Sequence, residues 1–213
     1  MKKLFIILIF PFLIHSKSQA DTGAGDVELW VGGSSGSGDI RVHGTQYDVD
    51  SESVSYEFTA YLPFGYIGGS FLDYDYDLSG NNLTGEYKRI SVGIMGAGPQ
   101  GRLNLITGEG STTKFGINHS EIDVSVNGGA STSDTATEVG YSMSGGMGNG
   151  FGAHFSFFTP TDEFLDDLTW EISVTKSVGP FVLELGYGYN IWLKDYRNYG
   201  EESGVIYKIG TQF

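Results

Sequence analysis

The sequence predicts an all-β fold, a single antiparallel transmembrane β-barrel of about ten strands. Three observations support this prediction. The first twenty residues have the pattern of a secretory signal, the remaining residues alternate between apolar and polar in ten short segments, and the connections between those segments alternate between long and short.

Residues 1–20 read as a signal peptide. Lys2 and Lys3 supply the positive start, and residues 4–14 form an apolar stretch, shorter than the ~20 residues that a membrane-spanning helix needs. Small residues at Ser18 and Ala20 stand where a signal peptidase reads the chain. We therefore expect cleavage after Ala20, with 1–20 as the signal peptide and 21–213 as the barrel domain.

The amino-acid composition agrees with an exported all-β protein. Glycine accounts for 33 residues and aromatic residues for 14% of the chain, which suits twisted strands joined by tight turns. There is no cysteine, so neither a lipid-anchored cysteine nor a disulfide can form. The net charge of −14 argues against nucleic acid as a partner.

The first five predicted strands lie at about 26–33, 53–62, 66–77, 86–96 and 101–109. Their apolar faces are formed, in order, by Val27, Leu29 and Val31; by Val54, Tyr56, Phe58, Ala60 and Leu62; by Tyr66, Leu72, Tyr74 and Tyr76; by Ile90, Val92 and Ile94; and by Leu103 and Leu105. The third segment is less regular than the others, and the fifth is weak. Alternation with a period of two is the signature of strands that have one apolar face.

The last five predicted strands lie at about 137–147, 150–158, 168–178, 181–192 and 204–213. Their apolar faces are formed by Val139, Tyr141 and Met143; by Phe151, Ala153, Phe155 and Phe157; by Leu168, Trp170, Ile172 and Val174; by Phe181, Leu183, Leu185, Tyr187, Tyr189 and Ile191; and by Val205, Tyr207, Ile209, Thr211 and Phe213. Residues 40–50 and 122–126 also alternate, so 40–50 could extend the first hairpin, and 122–126 the fifth or sixth strand, above the membrane. Counting both as spanning gives twelve strands, and merging the weak segments gives eight.

Connection length favours ten strands. The joints at 34–52, 78–85, 110–136, 159–167 and 193–203 are long, whereas those at 63–65, 97–100, 148–149 and 179–180 are short. Outer-membrane barrels have short periplasmic turns and long external loops. With ten strands every short joint falls on one side, and both termini lie in the periplasm.

The C-terminal segment resembles the closing strand of outer-membrane β-barrel proteins of Gram-negative bacteria. Tyr207, Ile209, Thr211 and Phe213 alternate along it, and Phe213 is an aromatic last residue. In that superfamily this strand is the signal that the barrel assembly machinery recognises, so the resemblance implies the same role for these four residues. Thr211 departs from the pattern, because an apolar residue is commoner at its position. The resemblance extends only to the superfamily.

The polar faces of the predicted strands define a candidate site inside the barrel. A barrel of eight to ten strands is barely wider than its own side chains, so inward charges should meet and pair across the lumen. The predicted lumen-facing charged residues are Glu28, Glu57, Asp73, Asp75, Arg89, Arg102, Glu138, His154, Glu171, Glu184 and Lys208. We expect them to form a structural network, with a narrow polar path as the alternative.

No catalytic residues, metal ligands or cofactor are predicted. His119 lies between Asn118 and Ser120, but adjacent residues rarely converge on one atom as a catalytic triad requires. The acids of residues 73–77 start like a calcium loop, yet Leu78 and Thr84 stand where that loop needs glycine and glutamate.

The predicted external loops are acidic, so divalent cations that bridge them to lipopolysaccharide phosphates are expected partners, together with the membrane lipid. The acids concerned are Asp48, Asp50, Glu52, Asp162, Glu163, Asp166, Asp167, Glu201 and Glu202.

The sequence thus predicts a non-enzymatic outer-membrane barrel with a structural, surface or narrow-channel role. Two alternatives stay open. One is a barrel enzyme that acts on lipid or peptide at the rim, and the other is a soluble periplasmic binder of the lipocalin type.

Overall fold

A computed structural model describes residues 27–42, 45–78, 81–126, 131–161, 168–194 and 199–213. These residues form a closed antiparallel barrel in which every strand pairs with its neighbours in the chain and β1 pairs with β10. The strands are β1 (Val27–Val42), β2 (Thr45–Leu62), β3 (Gly65–Leu78), β4 (Asn81–Ala97), β5 (Ser111–Val126), β6 (Ser131–Gly148), β7 (Phe151–Pro160), β8 (Thr169–Val178), β9 (Phe181–Lys194) and β10 (Tyr199–Gln212). The predicted all-β barrel of ten strands is confirmed.

One rim of the barrel carries tight turns, and we call it the turn rim. Gly148, Asn149 and Gly150 turn the chain between β6 and β7 with positive φ angles of 80°, 55° and 73°. The start of β1 and the end of β10 lie at this same rim, where Val27 and Phe213 exchange backbone hydrogen bonds of 3.3 and 3.0 Å. The signal peptide and its cleavage site at Ala20 lie outside the described residues.

The expectation of long loops at the opposite rim is wrong for most joints. β1 continues to Val42 and β2 begins at Thr45, so nearly all of residues 34–52 is strand. The same holds for 78–85 and 110–136, because β3 to β6 run 14–18 residues each. The connection between β7 and β8 falls mostly at 162–167, outside the described residues. The alternating residues in these segments therefore belong to long strands and not to loops.

The fifth strand was also predicted at the wrong place. Residues 101–109 form turns and isolated bridges instead of a spanning strand, and β5 is Ser111–Val126. The two alternating leucines at 103 and 105 imitate a short strand, but glycines with positive φ at 101, 108 and 110 bend the chain on both sides of them. The joint between β4 and β5, at 98–110, is thus longer than the 97–100 turn expected there.

An apolar belt surrounds the lower part of the barrel. Its outward side chains are exposed, for example Ile94 at 66%, Ile90 at 60% and Leu185 at 59%. Along β9 the belt runs from Phe181 to Tyr189, about 27 Å of strand at ~3.4 Å per residue. Once strand tilt is included, this length fits the apolar band of a membrane barrel, about 25 Å tall. No helix among the described residues is long and apolar enough to cross a membrane.

Above the belt, the two faces of the wall exchange their polarity. We call this part the outer extension; it comprises 35–42, 45–52, 73–78, 81–88, 119–126, 131–137 and 199–203. Its outward positions are mostly polar or acidic, whereas its interior holds a cluster of buried apolar residues: Ile40, Val49, Tyr74, Tyr76, Leu83, Ile122 and Val124. Water outside the wall requires this arrangement, because the apolar face must then turn inward.

Candidate functional site

The centre of the lumen holds a lysine between two carboxylates. Lys208 on β10 places its Nζ 3.1 Å from Glu57 Oε1 and 3.1 Å from Glu171 Oε1. The side chain of Lys208 is 8% exposed, so its charge is satisfied by these two partners and not by bulk water. Strands β2 and β8 supply the carboxylates from different parts of the wall, so this group braces the barrel across its width.

A second ion pair lies in the lumen between β4 and β6. Arg89 Nε donates to Glu138 Oε2 at 3.0 Å, and both side chains are largely buried. The Arg89 guanidinium also lies 4.0 Å from the centre of the Phe158 ring and 5.1 Å from that of Tyr87. Aromatic faces and a carboxylate together replace the water that the charge loses on burial.

Three more predicted residues face inward and bond to uncharged groups. Glu28 accepts a hydrogen bond from the Tyr61 hydroxyl at 2.9 Å, and Glu184 accepts one from the Ser173 hydroxyl at 2.5 Å. His154 Nδ1 lies 2.7 Å from Ser144 Oγ. No direct salt bridge to Glu184 is found among the described residues, although its charge interacts with that of Lys208.

Lys114 is an inward charge that sequence reasoning missed, because it falls in a segment that was assigned to a loop. Its Nζ lies 4.9 Å from the centre of the Tyr61 ring and 5.6 Å from that of Tyr66. An alternation search started at Ser111 would have found it, since Lys114 is in phase with Thr112 and Gly116 on the inward face of β5.

Asp73 and Asp75 do not belong to the lumen. Both are exposed on the outward face of β3, while Tyr74 and Tyr76 point inward and are 5% and 2% exposed. Tyr66 and Leu72 face inward as well. The prediction assumed one polarity for the whole strand, but the outward face of β3 changes from apolar at Phe71 to acidic at Asp73, and the inward face changes in the opposite sense.

Arg102 lies at the floor of the lumen and not on a strand. It belongs to the β4–β5 segment, which we define as residues 98–110, and its guanidinium lies 4.4 Å from the centre of the Tyr61 ring. The segment turns into the barrel, where Leu103 and Leu105 are 5% and 6% exposed and pack with Val182 and Trp30.

The lumen contains two adjoining cavities. The larger, about 210 Å³, is lined by Arg89, by the Lys208 group and by seven serines. The smaller, about 100 Å³, lies above the β4–β5 segment and is lined by Glu28, Glu184, Leu103 and Leu105 among others. Glu57, Lys114 and His154 line both cavities, so these residues mark the junction between them.

A buried acid lies at the upper end, above the apolar belt. Glu202 is 3% exposed, and Asn190 Nδ2 donates to its Oε1 at 3.5 Å. The residue is level with Gly38 and Val49 of the outer extension, not with the belt residues of β10, which begin at Val205. Burial raises the pKa of Glu202, while the polar side chains of Ser51, Asn190 and Tyr76 act in the opposite direction.

The outward face of the extension places acids directly opposite one another on paired strands. The opposed pairs are Asp39–Asp48, Asp39–Glu201, Asp50–Asp77, Glu52–Asp75, Asp73–Glu86 and Glu86–Asp123. A hydrogen bond with Asp48 is the largest cause that raises the pKa of Asp39. Among the described residues, no three acids or histidines are grouped closely enough to hold a metal ion.

The histidine motif of residues 118–121 does not assemble a catalytic group. It lies on β5, where Asn118 and Ser120 are buried and His119 and Glu121 are exposed on the other face.

The residues of the proposed C-terminal signal differ in their exposure. Tyr207 and Ile209 are exposed in the belt, whereas Thr211 is buried and its hydroxyl donates to the Pro180 carbonyl at 3.0 Å.

No family model and no curated protein matches this chain. Solved structures that match include Neisserial surface protein A, 13% identical, which covers 87% of this chain and 97% of its own, with a TM-score of 0.46. The translocator domain of the autotransporter NalP from Neisseria meningitidis is 11% identical, covers 100% and 95%, and has a TM-score of 0.49. The outer membrane protein OprG from Pseudomonas aeruginosa is 13% identical, covers 90% and 98%, and has a TM-score of 0.40. These values are too low to assign a family.

Proposed function

We propose that this chain is an integral outer-membrane β-barrel protein with a non-enzymatic, structural or surface role. One observation carries the proposal: in a closed barrel, the apolar side chains of the belt point outward while buried charges fill the lumen. A soluble barrel has the opposite arrangement, with an apolar interior and a polar outside. A continuous apolar band around all ten strands is far larger than the exposed patches that soluble proteins tolerate.

The outer extension supports a surface role. It continues the wall for up to eight residues per strand beyond the belt, about 25 Å, with an apolar interior that holds it together. We propose that this part projects from the cell and that the turn rim, with both ends of the barrel, lies in the periplasm. Membrane lipid then contacts the belt, and the outward face of β10 is available to the assembly machinery.

The acidic face of the extension favours divalent cations and lipopolysaccharide phosphates as partners. Like charges that lie directly opposite across strands destabilise their pairing, and Asp50 with Asp77 is one such pair. We expect diffuse binding at millimolar calcium, because no preformed metal group is present in the described residues. Calcium should raise the midpoint of thermal unfolding of the wild type more than that of the Asp50→Asn, Asp77→Asn variant; equal shifts would contradict this partner.

Cell fractionation tests the main proposal. The full chain, expressed in a Gram-negative host, should appear in the outer-membrane fraction, resist carbonate extraction and migrate faster on unheated than on heated gels. Recovery in the soluble periplasmic fraction would contradict it.

Orientation needs a separate test, and the absence of cysteine provides a clean background. Thr135→Cys is on the exposed outward face of the extension, and Gln100→Cys is exposed at the turn rim. A membrane-impermeant maleimide on intact cells should label the first and not the second. The reverse labelling would show that the barrel is inserted the other way.

A further inference from the structure

The β4–β5 segment crosses the turn-rim mouth of the barrel. Its ends are attached to β4 and β5, but Leu103 and Leu105 pack with Val182 on β9, which lies on the opposite side of the closed sheet. Trp30 on β1 and Ile106 complete this contact. The segment therefore spans the opening, where an ordinary hairpin turn would follow the rim.

Hydrogen bonds hold the segment at two further places. The side chain of Gln212 on β10 accepts from the Leu105 N–H at 2.9 Å and donates to the Leu103 carbonyl at 3.3 Å. On the other side, the N–H groups of Gly146, Gly148 and Gly150 donate to the carbonyls of Gly110, Gly108 and Thr107 at 2.9, 2.7 and 2.8 Å. A Cβ at position 146 would lie 2.2 Å from the Gly108 carbonyl oxygen, so only glycine permits this approach.

The lumen above the segment is lined by many polar side chains, and its two cavities adjoin. The smaller cavity rests on Leu103 and Leu105, and it shares Glu57, Lys114 and His154 with the larger one. Two apolar side chains at the base of a charged lumen form a barrier that ions and water cross poorly.

We propose that the β4–β5 segment is a plug that closes the lumen from the turn rim, and that Gln212 is its latch. The inference rests on the proposed membrane location and goes beyond it, because it assigns the closure to one segment. Displacing the plug should expose the smaller cavity to water and small solutes from the turn rim. Glu28, Glu184 and Lys114 line that cavity.

Access of a small reagent to the lumen of the purified full-length barrel tests the plug. Thr175→Cys places a thiol in the smaller cavity, and a small cationic methanethiosulfonate reagent should modify it at least tenfold faster when Leu103→Asp and Leu105→Asp are also present. Gln100→Asp is the matched control, because Gln100 is exposed on the same segment; it should leave the rate unchanged. Equal rates with and without Leu103→Asp, Leu105→Asp in folded, heat-modifiable barrels would overturn the proposal.

A second labelling experiment covers the case in which the double variant fails to fold. Thr175→Cys places a thiol in the smaller cavity, and Gln212→Leu removes both latch hydrogen bonds. A small cationic methanethiosulfonate reagent should modify Thr175→Cys at least tenfold faster when Gln212→Leu is also present. Equal rates in two inserted, folded barrels would overturn the latch, whereas failure of the wild-type barrel to insert would count against the proposed membrane location instead.

Discussion

Phe71 and Asp73 are neighbours on the same outward face of β3, and the medium outside the barrel changes between them. The Phe71 side chain is 44% exposed within the apolar belt, while Asp73 is exposed at the base of the outer extension. On the inward face the change runs the other way, from Ser70 in the polar lumen to Tyr74 in the buried cluster. Strand β3 thus shows both where the membrane surface lies and where the outward and inward faces of the wall exchange their polarity.

A charge placed in the belt should destabilise the barrel, and the same charge in the extension should not. Met143→Arg lies mid-belt on β6 and should cost about 2–4 kcal/mol, because arginine near the bilayer centre loses its hydration. Thr135→Arg, on the outward face of the same strand above the belt, should change stability by less than about 0.5 kcal/mol. Denaturant unfolding in lipid vesicles measures both, and equal costs would contradict the placement of the belt.

The sequence was sufficient for the fold because the signal lies in the outward residues of the belt. Alternation at Leu183, Leu185 and Tyr187 has the same meaning in any barrel that faces lipid. The sequence was insufficient for the part of the fold above the belt. There Tyr74 and Tyr76 take the inward positions that polar residues occupy lower in the barrel. Hydrophobicity alone does not show on which side of a strand the water is.

The lumen residues of the candidate site were predictable where they lie in strands with regular alternation, and they were not predictable elsewhere. Glu57, Glu171 and Lys208 lie in regular alternating segments, and the structure brings them together. Lys114 and Glu202 fall in stretches that resembled loops by length, so their inward positions depended on strand extensions that the sequence did not mark. Leu103 and Leu105 imitated a strand because two leucines spaced by two satisfy its pattern without crossing a membrane.

Removal of the central lysine should be costly. Lys208→Met leaves Glu57 and Glu171 in a narrow lumen without their shared cation, and we expect a loss of about 3–5 kcal/mol. The matched control is Lys88→Met, whose Nζ lies 3.5 Å from Glu86 and 3.7 Å from Asp123 on the exposed outer face. An exposed pair contributes at most about 1 kcal/mol. Unfolding free energies of the two variants in vesicles decide this, and a Lys208→Met protein as stable as Lys88→Met would refute the bracing role.

The stability of the upper end should depend on pH through Glu202. Because burial raises the pKa of Glu202 above its unfolded value of about 4.3, the folded extension favours the protonated acid. The contribution of Glu202 to the stability of the extension is complete below the pKa of the unfolded state, and it is lost as pH rises through the pKa of the folded state. Glu202→Gln should therefore match the wild type near pH 4 and become more protected at higher pH.

Hydrogen exchange of the amides at 199–204 measures this local opening. Glu86→Gln, an exposed acid on the outer face of the same extension, is the control and should follow the wild-type profile. Protection in Glu202→Gln that falls with rising pH as steeply as in the wild type would show that another group is responsible.

Depth measurement along β3 tests the membrane assignment most directly. Single cysteines at 67, 69, 71, 73, 75 and 77 in the cysteine-free chain would carry nitroxide labels in lipid vesicles, all on the outward face. Oxygen, which dissolves in lipid, should collide most with labels at 67–71, and a water-soluble nickel chelate should collide most with labels at 73–77. A crossover between Phe71 and Asp73 is the predicted result. Uniform access of the nickel chelate at all six positions would contradict a membrane-embedded belt.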